Sequence, residues 1–186
     1  MKYEASEPEI DDLILITPKV MYDERGFFLE SYTKNEFEKL GIKDEFVQDN
    51  HSLSIKNTLR GLHFQREPYA QSKLVRCITG SILDVAVDIR KDSSTFGKHV
   101  KVVLSSEDKK MLYIPRGFAH GFLVLSDVAE VLYKVDNFYS KGYESGIIWN
   151  DNELGIDWPI TNPILSEKDK GLPSFAELKR ELGMMV

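Results

Sequence analysis

Residues 72–90 read "SKLVRCITGSILDVAVDIR", two apolar runs joined by a glycine and a serine. Both runs are short and rich in β-branched residues, and the glycine between them marks a turn, so the stretch predicts two consecutive strands. Similar runs follow at "KHVKVVLS" (98–105), "KMLYIPRG" (110–117), "GFLVLSD" (121–127) and "VAEVLYKVDNFY" (128–139). Short strands at this spacing, without alternating helices, predict a mainly β fold: a sandwich, a jelly roll or a barrel.

Two short helices are predicted outside this region. "TKNEFEKLG" offers Thr33 as N-cap and Glu36 three residues later, the pattern of a capping box. "PSFAELKRELG" repeats the pattern with Ser174 and Glu177, and each run stops at a glycine. The stretch "WNDNELGIDWPITNP" is rich in turn residues, which predicts an irregular segment wrapped on the β body.

The size of the chain favours one domain. With 186 residues, of which 42% are hydrophobic, it can bury a substantial core. We expect a single domain over 1–186 with its core at about 45–140. An N-terminal strand and helix (1–44) and a C-terminal loop and helix (141–186) are expected to pack on that core.

Charge and cysteine content narrow the environment and the partners. The chain carries 24 basic and 30 acidic residues without a long run of one sign, so no nucleic-acid partner is expected. Cys77 is the single cysteine, and the acidic start "MKYEASEPEIDD" lacks an apolar signal region, which together predict a cytoplasmic protein. No apolar stretch approaches the roughly 20 residues that span a bilayer, so no membrane partner is expected.

Strand periodicity places several ionisable residues on apolar faces. In "RGLHFQ", strict alternation puts His63 on one face with Gln65 and turns Arg60 to the other. Lys73 and Tyr133 each share a face with apolar neighbours. A β framework whose apolar faces hold single polar groups has the composition of a ligand cavity.

Taken alone, each of these residues also has a structural explanation. Tyr133 fits a core tyrosine whose hydroxyl binds a carbonyl, Lys73 could extend past its apolar neighbours to water, and His63 fits a structural histidine. Asp84 and Asp88 lie opposite the apolar face of their strand, where solvent exposure would explain both. Only their combination favours a functional site.

One motif raises the possibility of a metal. "PRGFAHG" places Pro115, Gly117 and His120 at the spacing of the second metal-binding motif of cupins, a jelly-roll superfamily. Gln65 stands where the first cupin motif has its second histidine, and no glutamate follows in "YAQSKL". Because an amide is a poor substitute for imidazole or carboxylate, we expect a cupin-like scaffold without its metal, in which protein side chains do the chemistry.

A dispersed set of motifs points to one family. The stretches are "DERGFFLESY", "FVQDNHSLS", "LRGLHFQ", "SKLVRCITGSILDVAVDIRKDSSTFG", "IPRGFAHGFLVLSD", "VLYK", "YESGIIWND", "GIDWP" and "LSEKD", in order from about residue 23 to 169. With them the chain resembles the dTDP-4-dehydrorhamnose 3,5-epimerase family, cofactor-free sugar-nucleotide epimerases of the L-rhamnose pathway.

The resemblance implies a homodimeric double-stranded β-helix jelly roll. Its substrate would be dTDP-4-dehydro-6-deoxy-D-glucose, inverted at C5 and C3 to give dTDP-4-dehydro-L-rhamnose. His63 matches the family's base, Lys73 the cation beside the C4 oxygen, and Tyr133 the acid on the far face of the sugar. This division fits the chemistry, because a proton beside a ketone is acidic only when the enolate is stabilised, and inversion needs two groups across the ring.

A histidine base also needs an acceptor that orients its second nitrogen. The resemblance assigns this role to Asp169 in "LSEKD". Asp84 and Asp88 are the alternative candidates, and Asp84 could instead pair with His120.

The resemblance also implies a set of substrate-binding residues. Phe27 and Tyr139 match the pair that stacks on thymine. In this family the N-terminal strand crosses the dimer interface, so Arg25 and Glu30 are expected to reach the partner's site. The positions that match contacts to sugar, diphosphate or thymidine are Arg25, Glu30, Gln48, Asp49, Asn50, Arg60, His120, Glu144 and Lys168.

One segment departs from the family pattern. "YKVDNFY" has Val135 and Phe138, where the family usually has threonines and two tyrosines. Three alternatives stay open: an epimerase acting at C3 or C5 alone in another dTDP-deoxysugar pathway, a metal-dependent cupin, and a non-catalytic cupin that binds sugar nucleotides.

Overall fold

The computed structural model describes residues 2–184. The strands are β1 (Tyr3–Ser6), β2 (Ile14–Pro18), β3 (Met21–Asp23), β4 (Gly26–Phe28), β5 (Gln48–Ile55), β6 (Leu59–Gln65), β7 (Lys73–Thr79), β8 (Ser81–Asp88), β9 (His99–Ser105), β10 (Met111–Ile114), β11 (Phe118–Val124), β12 (Val128–Val135) and β13 (Glu144–Gly146). The helices are α1 (Lys34–Lys39), α2 (Glu167–Lys170) and α3 (Phe175–Glu181), with a 3-10 turn at Lys141–Tyr143.

Two antiparallel sheets form the body of the molecule. One sheet has 6 strands in the order β1-β2-β10-β7-β12-β5, and the other has 5 strands in the order β13-β6-β11-β8-β9. The short β3–β4 hairpin stands apart from both sheets. The mainly β jelly-roll prediction is confirmed.

The strands predicted from 72 to 139 are all present, but the sheets extend beyond the expected 45–140 region. β1 and β2 join one edge of the six-stranded sheet, and β13 joins an edge of the five-stranded sheet. β5, read from the sequence only as a family motif, forms the other edge of the six-stranded sheet. Its sequence "QDNHSLSI" is mostly polar, as an edge strand allows, and so gave no apolar run to detect.

Apolar side chains fill the space between the sheets and cover both outer faces. Strand β8 shows the arrangement, because Ile82 and Ala86 pack into the central cluster while Val85 and Val87 pack on the opposite side. The C-terminal segment covers that opposite side, with Trp158 buried there. This confirms that the turn-rich tail wraps the β body.

Of the two predicted capping boxes, the one at α3 is correct and the one at α1 is wrong. Ser174 and Glu177 form the predicted capping box at α3. At α1, Thr33 makes no side-chain capping bond and instead donates to the Glu30 carboxylate at 2.6 Å, while Glu36 accepts from Lys39. The capping box predicted there is wrong because charged neighbours take both side chains. No helix among residues 2–184 is long and apolar enough to cross a membrane.

Candidate active site

Two neighbouring cavities open between the sheets, with volumes of about 530 and 280 Å³. Their sizes suit a small-molecule ligand. Both cavities are lined by a shared set of side chains: Asn50, His63, Lys73, Tyr133 and Glu144. We call the two cavities together the cleft.

His63 lies in the cleft and is bound to a carboxylate distant in sequence. Its Nε2 is 2.6 Å from Oδ1 of Asp169, and the Asp169 side chain is only 4% exposed. An ionised carboxylate only accepts hydrogen bonds, so Nε2 carries a hydrogen, and in the neutral imidazole Nδ1 then has the lone pair. The contact that the resemblance implied is therefore present, and it leaves one imidazole nitrogen able to take a proton.

Asp169 is held in place by α2, a helix that was not predicted. The Ser166 hydroxyl caps this helix by accepting from the Asp169 N–H at 3.1 Å. Burial alone would raise the pKa of Asp169, but hydrogen bonds from His63, the Gly61 N–H and the Ser166 side chain outweigh burial and lower it. The carboxylate is therefore ionised at neutral pH.

Lys73 contributes a buried cation to the same cleft. Its side chain comes from β7, and Nζ donates to the His63 carbonyl at 3.4 Å. Burial lowers the pKa of Lys73 to about 8, partly opposed by the charges of Asp84 and Glu144. The ammonium is therefore mostly protonated at pH 7, and desolvation makes its interaction with a nearby anion stronger than in water.

Tyr133 faces the cleft from the sheet opposite His63. Tyr133 lies on β12 and pairs with Val75 of β7, the strand that carries Lys73, so Tyr133 and Lys73 both belong to the six-stranded sheet. His63 lies on β6 of the five-stranded sheet. Burial raises the pKa of Tyr133, which keeps its hydroxyl protonated. Because Tyr133 lines both cavities, it is available to a ligand in either of them.

Arg60 shares the cleft with His63, contrary to strict alternation. His120 pairs with His63 and Phe122 with Arg60, so β6 holds one more residue than β11 between these pairs. The extra residue is a bulge that turns Arg60 toward the cleft while Leu62 stays buried on the outer side. Glycine at position 61 permits this bulge for two reasons. Its φ of +127° is rarely adopted by other residues, and a Cβ at this position would lie 2.5 Å from Gly121 of β11. The prediction that Arg60 faces away is wrong for this reason.

The two other carboxylates proposed as partners of His63 serve elsewhere. Asp84 is fully buried and lies 2.8 Å from Nε2 of His120, the pairing that the sequence left open. Burial lowers the pKa of His120 despite this neighbour. Asp88 is also fully buried and accepts from Arg90, Ser93 and Thr95. The solvent-exposed interpretation of Asp84 and Asp88 is wrong.

The predicted binding residues divide into two groups. Five of them line the cleft beside the residues already described: Gln48, Asn50, Tyr139, Glu144 and Lys168. Within this group, Glu144 accepts hydrogen bonds from Lys168 and from the Tyr139 hydroxyl.

The other group lies outside the cleft of this chain. Asp49 pairs with Lys134 on the sheet surface. Phe27 is 57% exposed on the β3–β4 hairpin, Arg25 pairs with Asp23 there, and Glu30 pairs with Lys2. In a single chain these residues do not join the site.

Gln65, which stands at a metal-ligand position of cupins, hydrogen-bonds to the backbone in this protein. Gln65 is buried, and both ends of its amide are bonded to backbone atoms of Tyr69, Phe138 and Ser140. Within residues 2–184 no three His, Cys, Asp or Glu side chains are grouped so that they could hold a metal ion. Gln65 and Ser166 are site-supporting residues whose roles the sequence did not indicate, because each acts through contacts with backbone.

The fold and the cleft define a cupin-like protein equipped for acid–base chemistry on a ligand held between its sheets. Comparisons with known proteins narrow this class. The family model described as dTDP-4-dehydrorhamnose 3,5-epimerase matches residues 7–177. The chain is 62% identical over 170 residues to the dTDP-4-dehydrorhamnose 3,5-epimerase of Shigella flexneri, covering 91% of this chain and 94% of the relative. The chain therefore belongs to the dTDP-4-dehydrorhamnose 3,5-epimerase family.

Solved structures show the same similarity. The epimerase RmlC from Legionella pneumophila, in complex with dTDP-4-keto-L-rhamnose, is 47% identical, with a TM-score of 0.90 and coverage of 95% of this chain and 96% of that one. ChmJ, a 3'-monoepimerase from Streptomyces bikiniensis in complex with dTDP-quinovose, is 30% identical, with a TM-score of 0.87 and coverage of 96% and 90%. One scaffold thus serves both double and single epimerisation among relatives.

Proposed function

We propose that this isomerase inverts C5 and C3 of dTDP-4-dehydro-6-deoxy-D-glucose in dTDP-L-rhamnose biosynthesis, with His63, Lys73, Tyr133 and Asp169 as its reacting and orienting groups. One observation carries the assignment of roles: His63 and Tyr133 face one cleft from opposite sheets. A sugar ring lying between the sheets would present one face to each residue. Inversion requires this arrangement, because a single group that removed and returned the proton would preserve configuration.

The proposed reaction consists of proton transfers at C5 and then at C3. Nδ1 of His63 removes the proton from C5, and the C–H electrons pass to the C4 carbonyl to form an enolate. The buried Lys73 ammonium stabilises the enolate oxygen. Tyr133 then donates its proton to C5 from the opposite face, and solvent restores the imidazole and the phenol. The same sequence at C3 completes the reaction.

Asp169 stabilises the charge that His63 acquires. Its carboxylate accepts from Nε2, fixes the tautomer with Nδ1 free, and lies next to the imidazolium that forms during proton removal. It does not touch the sugar in this proposal. Its effect on the rate therefore acts through His63.

The dTDP moiety occupies the remainder of the cleft. Arg60 and Lys168 supply positive charge for the diphosphate, and a guanidinium can donate two parallel hydrogen bonds to phosphate oxygens. Tyr139 provides a half-exposed ring for thymine, with Gln48 and Asn50 beside it. His120, oriented by Asp84, borders the sugar.

A homodimer accounts for the residues outside the cleft. The β3–β4 hairpin exposes Tyr22, Phe27 and Phe28, a group of aromatic side chains that a monomer would leave in water. Edge strand β5 exposes Leu53 and Ile55. In the dimer we propose, Arg25, Phe27 and Glu30 complete the partner's site, and Asp49 stands near the shared boundary. We place this single-domain enzyme in the cytoplasm, without a cofactor.

Running the reaction in heavy water tests the proposal. The double epimerase incorporates deuterium at both C5 and C3 of the 4-keto substrate, as followed by NMR. Deuterium at only one carbon would assign the chain to the single epimerases, the second candidate that the likeness to ChmJ favours. No exchange, with dTDP still bound, would indicate a binding protein. Loss of exchange with chelator would indicate a metal-dependent cupin.

Two variants test the roles of the residues. His63→Asn should stop exchange at both carbons, because no base remains. Tyr133→Phe should abolish inversion and leave proton removal by His63 intact, so that deuterium enters with retained configuration. Both variants should bind dTDP as the wild type does, which controls for folding. Inversion that survives in Tyr133→Phe would contradict the assigned acid.

A further inference from the structure

Gln65 brackets Tyr139 with backbone hydrogen bonds on both sides. Its Nε2 donates to the Phe138 carbonyl at 3.1 Å, and its Oε1 accepts from the Ser140 N–H at 2.7 Å. Nε2 also donates to the Tyr69 carbonyl at 2.7 Å. The side chain is buried, with 8% of the residue exposed. Both N–H groups and the oxygen of the amide are therefore used to hold backbone.

The segment around Tyr139 depends on such side-chain contacts. Strand β12 ends at Val135, so the ladder bonds of the sheet do not extend to residues 136–140. Gln71 donates to the Asn137 carbonyl at 2.6 Å, which holds the start of this segment but not Tyr139 itself. The Tyr139 hydroxyl donates to Glu144 at 2.9 Å. Among the side chains of residues 2–184, that of Gln65 is thus the one that hydrogen-bonds to the backbone on both sides of Tyr139.

We propose that Gln65 is a positioning residue that holds Tyr139 in place for the thymine base and thereby sets the affinity for the nucleotide. The proposal rests on the proposed function, in which Tyr139 stacks on thymine. An amide suits the task because it donates to two carbonyls and accepts from an N–H at once. A carboxylate would face two carbonyl oxygens without a hydrogen to offer.

Strand β6 also fixes the distance between His63 and Gln65. His63 and Gln65 lie two residues apart on β6 and line the smaller cavity together. At about 3.3 Å per residue, roughly 7 Å of paired strand links the base to the residue that fixes the thymine platform. The distance between proton removal and nucleotide binding is therefore set by one rigid element.

A double-mutant cycle tests this inference, with dTDP affinity measured by calorimetry. Gln65→Met removes the three hydrogen bonds at nearly constant volume and should raise the dTDP Kd about 10-fold, part of what a base–aromatic stack contributes. In a Tyr139→Ala background the same change should raise the Kd less than about 2-fold, because the ring it positions is absent. KM should rise with Kd, while kcat stays within about 3-fold.

Three results would overturn the inference. An equal rise in Kd in both backgrounds would mean that Gln65 does not act through Tyr139. A fall in kcat with unchanged Kd would assign Gln65 to the chemistry. Asn137→Ala is the matched control, because the Asn137 side chain lines neither cavity and binds the same segment at the Phe138 N–H and the Pro68 carbonyl. A rise in Kd as large as that of Gln65→Met would show a general loosening of the segment.

The design also separates this inference from the proposed function. If Gln65→Met does not fold, Gln65→Asn, which keeps the amide on a shorter side chain, enters the same cycle with the same expected and opposing results. Wild-type protein that fails to bind dTDP would refute the proposed function. Wild-type protein that binds dTDP, with variants that bind equally well, would refute only the role of Gln65.

Discussion

Replacing Asp169 with asparagine should slow proton removal without weakening nucleotide binding. The carboxylate is 2.6 Å from Nε2 of His63 and 3.4 Å from the Gly61 N–H, so both of its oxygens are bonded to β6. An asparagine at this position would keep the size of the side chain but lose its charge. The imidazolium that forms when His63 takes a proton would then lack its counter-ion.

The size of the effect follows from the contact. Opposite unit charges about 4 Å apart attract by about 4 kcal/mol at an effective dielectric constant of about 20. The His63 side chain is 28% exposed, so we discount this by about half for solvent screening. The remaining contribution of about 2 kcal/mol corresponds to about a 30-fold loss in kcat.

Deuterium incorporation at C5, measured by NMR under saturating substrate, gives the rate directly. We expect Asp169→Asn to lose about 30-fold in this rate while KM and dTDP affinity change less than about 3-fold. Asp88→Asn is the matched control, since Asp88 is also buried but binds Arg90, Ser93 and Thr95 outside the cleft. It should lower Tm and leave kcat unchanged. An exchange rate for Asp169→Asn within about 3-fold of wild type would refute the reasoning.

Two further predictions test the cation and the bulge. Burial lowers the pKa of Lys73 to about 8, so its ammonium is present below that pH and lost above it. We therefore expect kcat to fall as the pH rises through about 8. Lys73→Met should have a low kcat, and its pH profile should lack this descending limb. A limb that persists in Lys73→Met would have another origin. Gly61→Ala should lower the free energy of unfolding by about 3 kcal/mol in urea titrations, because its Cβ would lie 2.5 Å from Gly121 at φ +127°. Gly142→Ala, with nothing within 4 Å, should change it by less than about 0.5 kcal/mol, and equal losses would contradict the steric argument.

The sequence predicts the jelly roll well because the signal for each strand lies within the strand and its flanking turns. From residue 72 to 139 each strand carries an apolar run bounded by turn residues, and the runs overlap β7 to β12. The bounds differ most at β11, which begins at Phe118, three residues before its predicted run, and at β12, which ends at Val135. Ser174 was identified correctly as an N-cap because its partner Glu177 lies within the same turn. Thr33 fits the same pattern but makes no capping bond, and its hydroxyl instead donates to Glu30, a residue that the motif does not include.

The site is less predictable because its contacts are long-range. Periodicity placed Lys73 and Tyr133 on inward faces, but it cannot detect the extra residue in β6 that turns Arg60 into the cleft. His63 and Asp169 are 106 positions apart in the sequence, with no local signal of their contact, and only the family resemblance indicated it. In the proposed dimer, the residues that the second chain would bring to the cleft depend on an interface, which no pattern within one chain determines.

The contact between His63 and Asp169 also sets when activity can arise during synthesis. Strand β6 leaves the ribosome early, but its carboxylate partner follows 106 residues later, about 5 to 20 s at ordinary elongation rates. During that interval the central strands can pair while the proposed base lacks its counter-ion. The proposed site is thus complete only when nearly the whole chain has been made, and a nascent chain that stops before α2 carries the histidine without the carboxylate that binds it.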